Sequence, residues 1–315
     1  MLSRVADALY WTGRYLERAS FLARAVDVTF HLDLDLHGAV AERVSAEWDA
    51  VLAMTQQAPP PDGVRGDGHA AVSRWMLLDP ANPGSLMACI NRARNNARMI
   101  RGHLSSPMWR ELNKLYWHLS DPAFQARVGE SPHDFCDAAQ VGVMLCHGIC
   151  ADTVTYDEGW QFLEMGTFLE RAEKVLRVLE SRFGAEHAAG ADLPVSALRW
   201  GAVLKKCRAY EAYQRLFISR VEPRRVVEFL LFHPDFPHSV RFSLGRVFGA
   251  LSRIGGTLPD RCDSESTRTV GSLVGALTYP DREALVDSRL HAFLGESLGR
   301  CATLGRLLQR QYSLA

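Results

Sequence analysis

Three stretches of this chain recur in order at nearly one spacing, and that recurrence limits the possible architectures more than any other feature. Gly13-Arg14-Tyr15-Leu16-Glu17-Arg18-Ala19 matches Gly166-Thr167-Phe168-Leu169-Glu170-Arg171-Ala172, 153 positions later. Ser45-Ala46-Glu47-Trp48-Asp49-Ala50-Val51-Leu52 matches Ala197-Leu198-Arg199-Trp200-Gly201-Ala202-Val203-Leu204, at 152. Leu77 to Ser85, with Pro80 and Pro83, matches Leu231 to Ser239, with Pro234 and Pro237, at 154, and this register places Arg92 on Arg246. A collinear repeat of this kind is the signature of one structural unit used twice. Residues 1–152 and 153–315 are therefore expected to be two helical copies about a pseudo-twofold relation. They are expected to form one compact body, because no Ser-, Gly- or Pro-rich run separates them near 150–156.

The hydrophobic period fixes the class. Leu2, Val5, Ala6, Leu9, Gly13, Leu16, Ala23 and Val26 recur at steps of three and four and fall on one helical face. Similar patterns run through about 40–57, 84–104, 107–119, 133–152, 154–183, 195–219, 238–254, 264–277 and 282–312, and no stretch alternates with period two. The expected fold is all-α, a helical bundle built from two pseudo-symmetric copies. Loops are expected at 58–72, which holds Pro59-Pro60-Pro61, and at 184–194.

Charge and cysteine content narrow the function classes. Thirty-six Lys and Arg balance thirty-six Asp and Glu, so the long-range field of a non-specific nucleic-acid or membrane binder is missing and any basic site is local. Lysine occurs only at 114, 174, 205 and 206, and the remaining basic residues are arginines, the side chain suited to bidentate carboxylate or phosphate contacts. No apolar run approaches the roughly 20 residues of a membrane span, and Arg4, Asp7, Arg14 and Glu17 stand where a signal peptide would be apolar. A cytoplasmic protein is expected. Seven scattered cysteines fit reduced core thiols; Cys146, His147 and Cys150 lack a second ligand pair, and no metal site is expected.

Two constellations could carry chemistry. On the first helix Asp7, Tyr10, Arg14, Glu17, Arg18 and Phe21 share the face opposite the apolar stripe, so both faces are expected to be covered and the charges to need partners. Glu17, Glu170 and Arg171 then form a structural ion-pair network, or the same groups wall a polar pocket. The second constellation is Asn91, Arg94, Asn95, Arg98 and Arg101 on one helical stripe. No acidic residue occurs from Pro80 to Arg110. Arg14, Arg18, Arg94, Asn95, Arg98 and Arg101 are the candidate anion-binding residues, able to grip a phosphate or an acidic peptide through charge-assisted bonds; a basic solvated face is the alternative. Glu111, on a helix entered through Ser105-Ser106-Pro107, and Glu17 are candidate general acid/base groups. There is no GxxxxGK[ST], HExxH, GxSxG or DDxxD, and no cofactor is expected.

Met1 to Asp7, Leu9 to Ala19, Asn96-Ala97-Arg98 with Arg101, Met108-Trp109, Leu112-Asn113 and Phe168 to Ala172 together closely resemble the bacterial alpha-E domain family. The likeness extends to Pro234, Phe236-Pro237 and Ser239 to Phe242; Thr12 and Ser20 depart from the usual pattern without touching Arg14, Glu17 and Arg18. The resemblance implies a context. Such proteins are typically encoded beside, or fused to, a circularly permuted ATP-grasp protein, and often a transglutaminase-like protease. ATP-grasp enzymes activate a carboxylate as an acyl phosphate and form amide bonds. The expected function is an accessory or catalytic partner of an ATP-grasp-dependent amide-ligation system. A scaffold whose charges are consumed internally, and an amide-forming or amide-cleaving enzyme with a Glu base, are the alternatives.

Overall fold

The computed structural model of the chain describes residues 1–36, 41–57, 60–61, 69–188, 193–218, 220–256, 264–280 and 288–314. Among these there are fourteen α-helices and no strand, so the expected all-α class holds. No helix among the described residues is long and apolar enough to cross a membrane.

Contacts divide the chain into two units, Met1–Arg14 with Thr155–Ala315, and Tyr15–Val154. Helix α1 (Ser3–Leu36) gives its first turns to the former and the remainder to the latter. The unit of residues 15–154 continues with α2 (Ala41–Thr55), α3 (His69–Leu77), α4 (Leu86–Met99), α5 (Ser106–Leu119), α6 (Pro122–Ala126) and α7 (His133–Thr153), in which α5 packs against both α4 and α7. The other unit holds α8 (Glu158–Ala188), α9 (Leu193–Lys206), α10 (Tyr210–Leu216), α11 (Pro223–Phe232), α12 (Val240–Ile254), α13 (Glu265–Thr278) and α14 (Ser288–Tyr312). There α8 lies along α12 and α14, and α13 bridges those two.

Three helices depart from the period-based expectation. Helix α11 ends on Phe229 to Phe232, four consecutive buried residues, and this apolar run is too short to show a helical period. Helix α3 follows Gly63, Gly66 and Gly68, whose composition extends the expected loop over residues 69–72 that are in fact helical. Helix α6 is a single short turn begun by Asp121, whose carboxylate accepts from the Ala123 amide. The expected helix 195–219 is two helices, broken where Arg208 takes φ +52°. Helix α8 runs on to Ala188, which removes 184–188 from the expected loop. Residues 58–59, 62–68 and 189–192 of the expected loops, and Cys262, lie outside the described residues.

The third repeated block ends on a serine that caps the following helix in both places. Ser85 caps α4 by accepting from the Ala88 amide at 3.3 Å, and Ser239 caps α12 by accepting from Phe242 at 3.0 Å. Ser239 also donates to the His233 carbonyl at 2.6 Å. Replacing either serine by alanine is expected to cost about 1 kcal/mol in denaturant titration, with Ser239→Ala the larger because a second bond is lost.

The first block sets a close helix approach. A Cβ on Gly13 would lie 2.3 Å from the Leu163 carbonyl oxygen, and one on Gly166 would lie 2.1 Å from that of Tyr10. Each glycine thus removes the side chain that would hold the backbones of α1 and α8 apart, and the residues after both are brought to face the opposite helix.

Candidate functional site

Arg14 follows Gly13 directly, and the close approach delivers its guanidinium to α8. Nε donates to Glu170 Oε2 at 2.6 Å, Nη2 to Glu173 Oε2 at 2.7 Å and Nη1 to the Tyr10 hydroxyl at 2.9 Å. Lys174 Nζ stands 3.5 Å from the other oxygen of Glu170. Arg14 is 7% exposed and Glu170 0%. Burial opposes the charge on Arg14, but Tyr10, Glu173 and Glu170 together hold its ionisation well above the usual arginine value. Burial pushes the Tyr10 phenol up, against the pull of Arg14. Both directions keep Arg14 charged and Tyr10 neutral near pH 7.

The neutral form of Tyr10 is favoured in the folded chain, so its contribution to stability is full below the ordinary phenol value of about 10 and is lost as pH rises through the higher folded value. Alkaline denaturation of Tyr10→Phe is expected to lack this part of the loss. An identical pH profile for both proteins would contradict it.

The structure separates the six candidate anion-binding residues into different settings. Arg14 is engaged as above. Arg18 lies over the Tyr15 ring at 5.7 Å, with Arg92 over the same ring at 5.7 Å. Phe168 in the other unit is flanked in the same manner by Arg171 at 4.8 Å and Arg246 at 5.4 Å. These are the residues that the repeat equates, one arrangement within each unit. Arg171 also donates to the Pro237 carbonyl at 3.2 Å, and Arg246 meets Glu164 at 2.5 Å. Glu17, like Glu170, is buried.

Arg94, Asn95, Arg98 and Arg101 stay together on the α4 stripe and the turn that follows it. Arg94 Nε donates to Asn113 Oδ1 of α5 at 2.7 Å, and its guanidinium lies 4.5 Å from the Tyr116 ring centre and 5.5 Å from that of Trp117. Arg101 lies over Trp109 at 5.8 Å. Asn95 is within 3.4 Å of Asn91. Arg98 is exposed between them, and none of these three arginines has an ion pair among the described residues. Trp117 is 63% exposed. The result is an exposed face of guanidiniums and carboxamides, partly fixed by aromatic rings on α5.

Asn113, Tyr116 and Trp117 complete this face and were not singled out by sequence for it. Their spacing of three and four along α5 was available, but which face of α5 meets α4 is decided by packing. Glu111 is on the side of α5 toward α7: burial, then the Glu111 charge and then Cys150 raise the Cys146 thiol to about 12. Its carboxylate is 3.7 Å from Lys114. The six described cysteines are buried, and none of them is in a disulfide.

The family model Alpha-E, described as a predicted alpha-helical domain with a conserved ER motif, matches residues 1–312. The chain carries Glu-Arg pairs at 17–18, 42–43 and 170–171. An uncharacterised protein of Mycobacterium bovis and one of Mycobacterium tuberculosis are each 26% identical over 285 residues, covering 84% of this chain and 32% of theirs. A further uncharacterised protein of Mycobacterium tuberculosis is 25% identical with the same coverage. The chain thus spans about a third of the length of the curated relatives it matches. No solved structure matches it.

Proposed function

The chain belongs to the Alpha-E family, and we propose that it is a cytoplasmic binding partner in an ATP-grasp-dependent amide-ligation system, holding a carboxylate or phosphate group on the face of Arg94, Asn95, Arg98 and Arg101. The observation that carries this reading is that no carboxylate among the described residues pairs with these arginines. Three guanidiniums stand within about two turns, and none meets a carboxylate among the described residues. A bound anion would relieve their repulsion through planar, charge-assisted bonds.

The repeat adds a second support. At the register that equates Arg92 with Arg246, the positions of Arg94, Asn95, Arg98 and Arg101 are Phe248, Gly249, Ser252 and Gly255. A helix of 15 residues against 14, with the same serine cap, is built there without the stripe. The arginines are therefore dispensable for making the helix, and Arg14 is the arginine that serves the fold. The ligation context rests on the resemblance to alpha-E proteins encoded beside circularly permuted ATP-grasp proteins and transglutaminase-like proteases. An acidic peptide or an acyl phosphate is the ligand class that suits it.

The test is calorimetric titration of pyrophosphate, ATP and a glutamate-rich peptide into the chain, alone and with the ATP-grasp protein encoded beside it. Binding of at least one of them, weakened at least about tenfold by Arg98→Ala while melting is unchanged, is the expected result. No binding in either setting would leave the scaffold reading in its place.

A further inference from the structure

Asp27 and His31 are one helical turn apart on α1, and His133 is the first residue of α7; all three belong to the unit of residues 15–154. His133 Nδ1 is 2.8 Å from Asp27 Oδ1, and His31 Nδ1 is 3.3 Å from the same oxygen. His31 Nδ1 also lies 2.9 Å from the Asp27 carbonyl oxygen. The two imidazole rings meet edge to face with centres 5.2 Å apart. One donor atom from each residue lies within 4.8 Å of the other two, the one such convergence of three His, Cys, Asp or Glu among the described residues.

We propose that Asp27, His31 and His133 bind one divalent first-row transition-metal ion, zinc or a cation of similar preference, with at least one coordination position left to water. Two imidazoles and a carboxylate are a ligand set for such ions and not for calcium or magnesium, which take oxygen donors. Ligand bonds of roughly 2.0–2.2 Å in a tetrahedral site place donor atoms about 3.4 Å apart; the two His–Asp27 separations are 2.8 and 3.3 Å, and the histidine donors lie within 4.8 Å of each other. The histidines are about half exposed and Asp27 is 17% exposed, so the ion has a route in and the carboxylate is held in place. On binding, each imidazole coordinates through an unprotonated nitrogen: a neutral ring carries its proton on the nitrogen away from the ion and a protonated ring releases one proton to solvent, while metal–nitrogen and metal–oxygen bonds form and water leaves the ion. Asp134 and Asp137 add negative charge near His133, which favours a cation at this position. The ion would tie α1 to the start of α7 inside one unit.

Cys146, His147 and Cys150 do not form such a convergence of three donor atoms among the described residues. The chain hid the better set: Asp27 and His31 read as an ordinary pair on a long helix, and His133 is more than a hundred positions away.

The experiment is titration of the chelator-treated chain with cobalt(II) and, separately, zinc(II) at about pH 8, where protons compete less. Cobalt is followed by its visible bands and zinc by calorimetry. One ion per chain is expected, with affinity weakened at least about tenfold in His31→Gln and in His133→Gln and lost in the double variant. Circular dichroism shows whether each variant stays folded, and these exposed positions are expected to allow it. Failure of the wild-type chain to bind either ion, or binding of equal affinity by the folded double variant, would overturn the proposal. So would the intense near-ultraviolet cobalt–thiolate band, which would place the ion on cysteine.

Discussion

Arg14→Ala is expected to lower the stability of the chain by about 3–5 kcal/mol, the range for removing one partner of a buried charge pair. The magnitude follows from what is left behind. Glu170 is fully buried and Glu173 nearly so, and both lose the guanidinium that lies within 2.7 Å of them. Lys174 still stands 3.5 Å from Glu170, so the loss falls short of an entirely stranded carboxylate. Glu170→Ala is expected to cost less, since Arg14 keeps Glu173 and Tyr10. Arg14→Lys retains a charge but not three donors in one plane, and falls between wild type and Arg14→Ala. Denaturant titration of the three variants checks the order. A loss below about 1 kcal/mol for Arg14→Ala would mean that the network is solvated in solution and does not hold α1 against α8.

Gly166→Ala is expected to be damaging for a different reason. The added methyl would meet the Tyr10 carbonyl oxygen at 2.1 Å and the Arg14 amide nitrogen at 3.3 Å, both backbone atoms that no rotamer change can move. Relief requires α1 and α8 to separate, which also lengthens the bonds of Arg14. The cost is expected at or above the upper end of the roughly 1–3 kcal/mol typical of overpacking. Gly13→Ala is expected to behave alike, its methyl falling 2.3 Å from the Leu163 carbonyl oxygen. Gly249 is the control. It lies within α12 with no atom within 4 Å of an added Cβ, so alanine there is expected to stabilise by about 0.5–1 kcal/mol through helix propensity. Equal melting temperatures for Gly166→Ala and Gly249→Ala would contradict the close helix approach.

Much of this was legible in the sequence, and the exceptions have physical causes. Amphipathic helices announce themselves by period, as α1, α4, α5 and α12 do. Helix α11 does not, because it has only ten residues and its last four, Phe229 to Phe232, read as a short apolar run. The repeat marked Gly13, Glu17 and their counterparts as central, and the structure gives Gly13 and Gly166 matching contacts. Sequence could not tell which carboxylates Arg14 would meet: Glu173, outside the repeated block, is as close as Glu170. That depends on how far along α8 the crossing falls. For the arginine stripe, sequence supplied the residues on α4 but not the rings beneath them. Nothing in the sequence marks half-buried Tyr116 and exposed Trp117 as the rings that lie against Arg94. Asp27, His31 and His133 show the same limit, since a donor set drawn from two helices has no local spacing to read.

The central claim is a division of labour between arginines, buried Arg14 for the fold and exposed Arg98 for an anion. Its most direct test is calorimetric binding of pyrophosphate to wild type, Arg98→Lys and Arg98→Ala, with a melting curve for each. The account predicts wild-type binding, a marked loss in Arg98→Lys because the planar fork is gone, a larger loss in Arg98→Ala, and melting temperatures equal to or slightly above wild type as like-charge repulsion is removed. A fall in the melting temperature of Arg98→Ala comparable to that of Arg14→Ala, with pyrophosphate affinity unchanged, would contradict it.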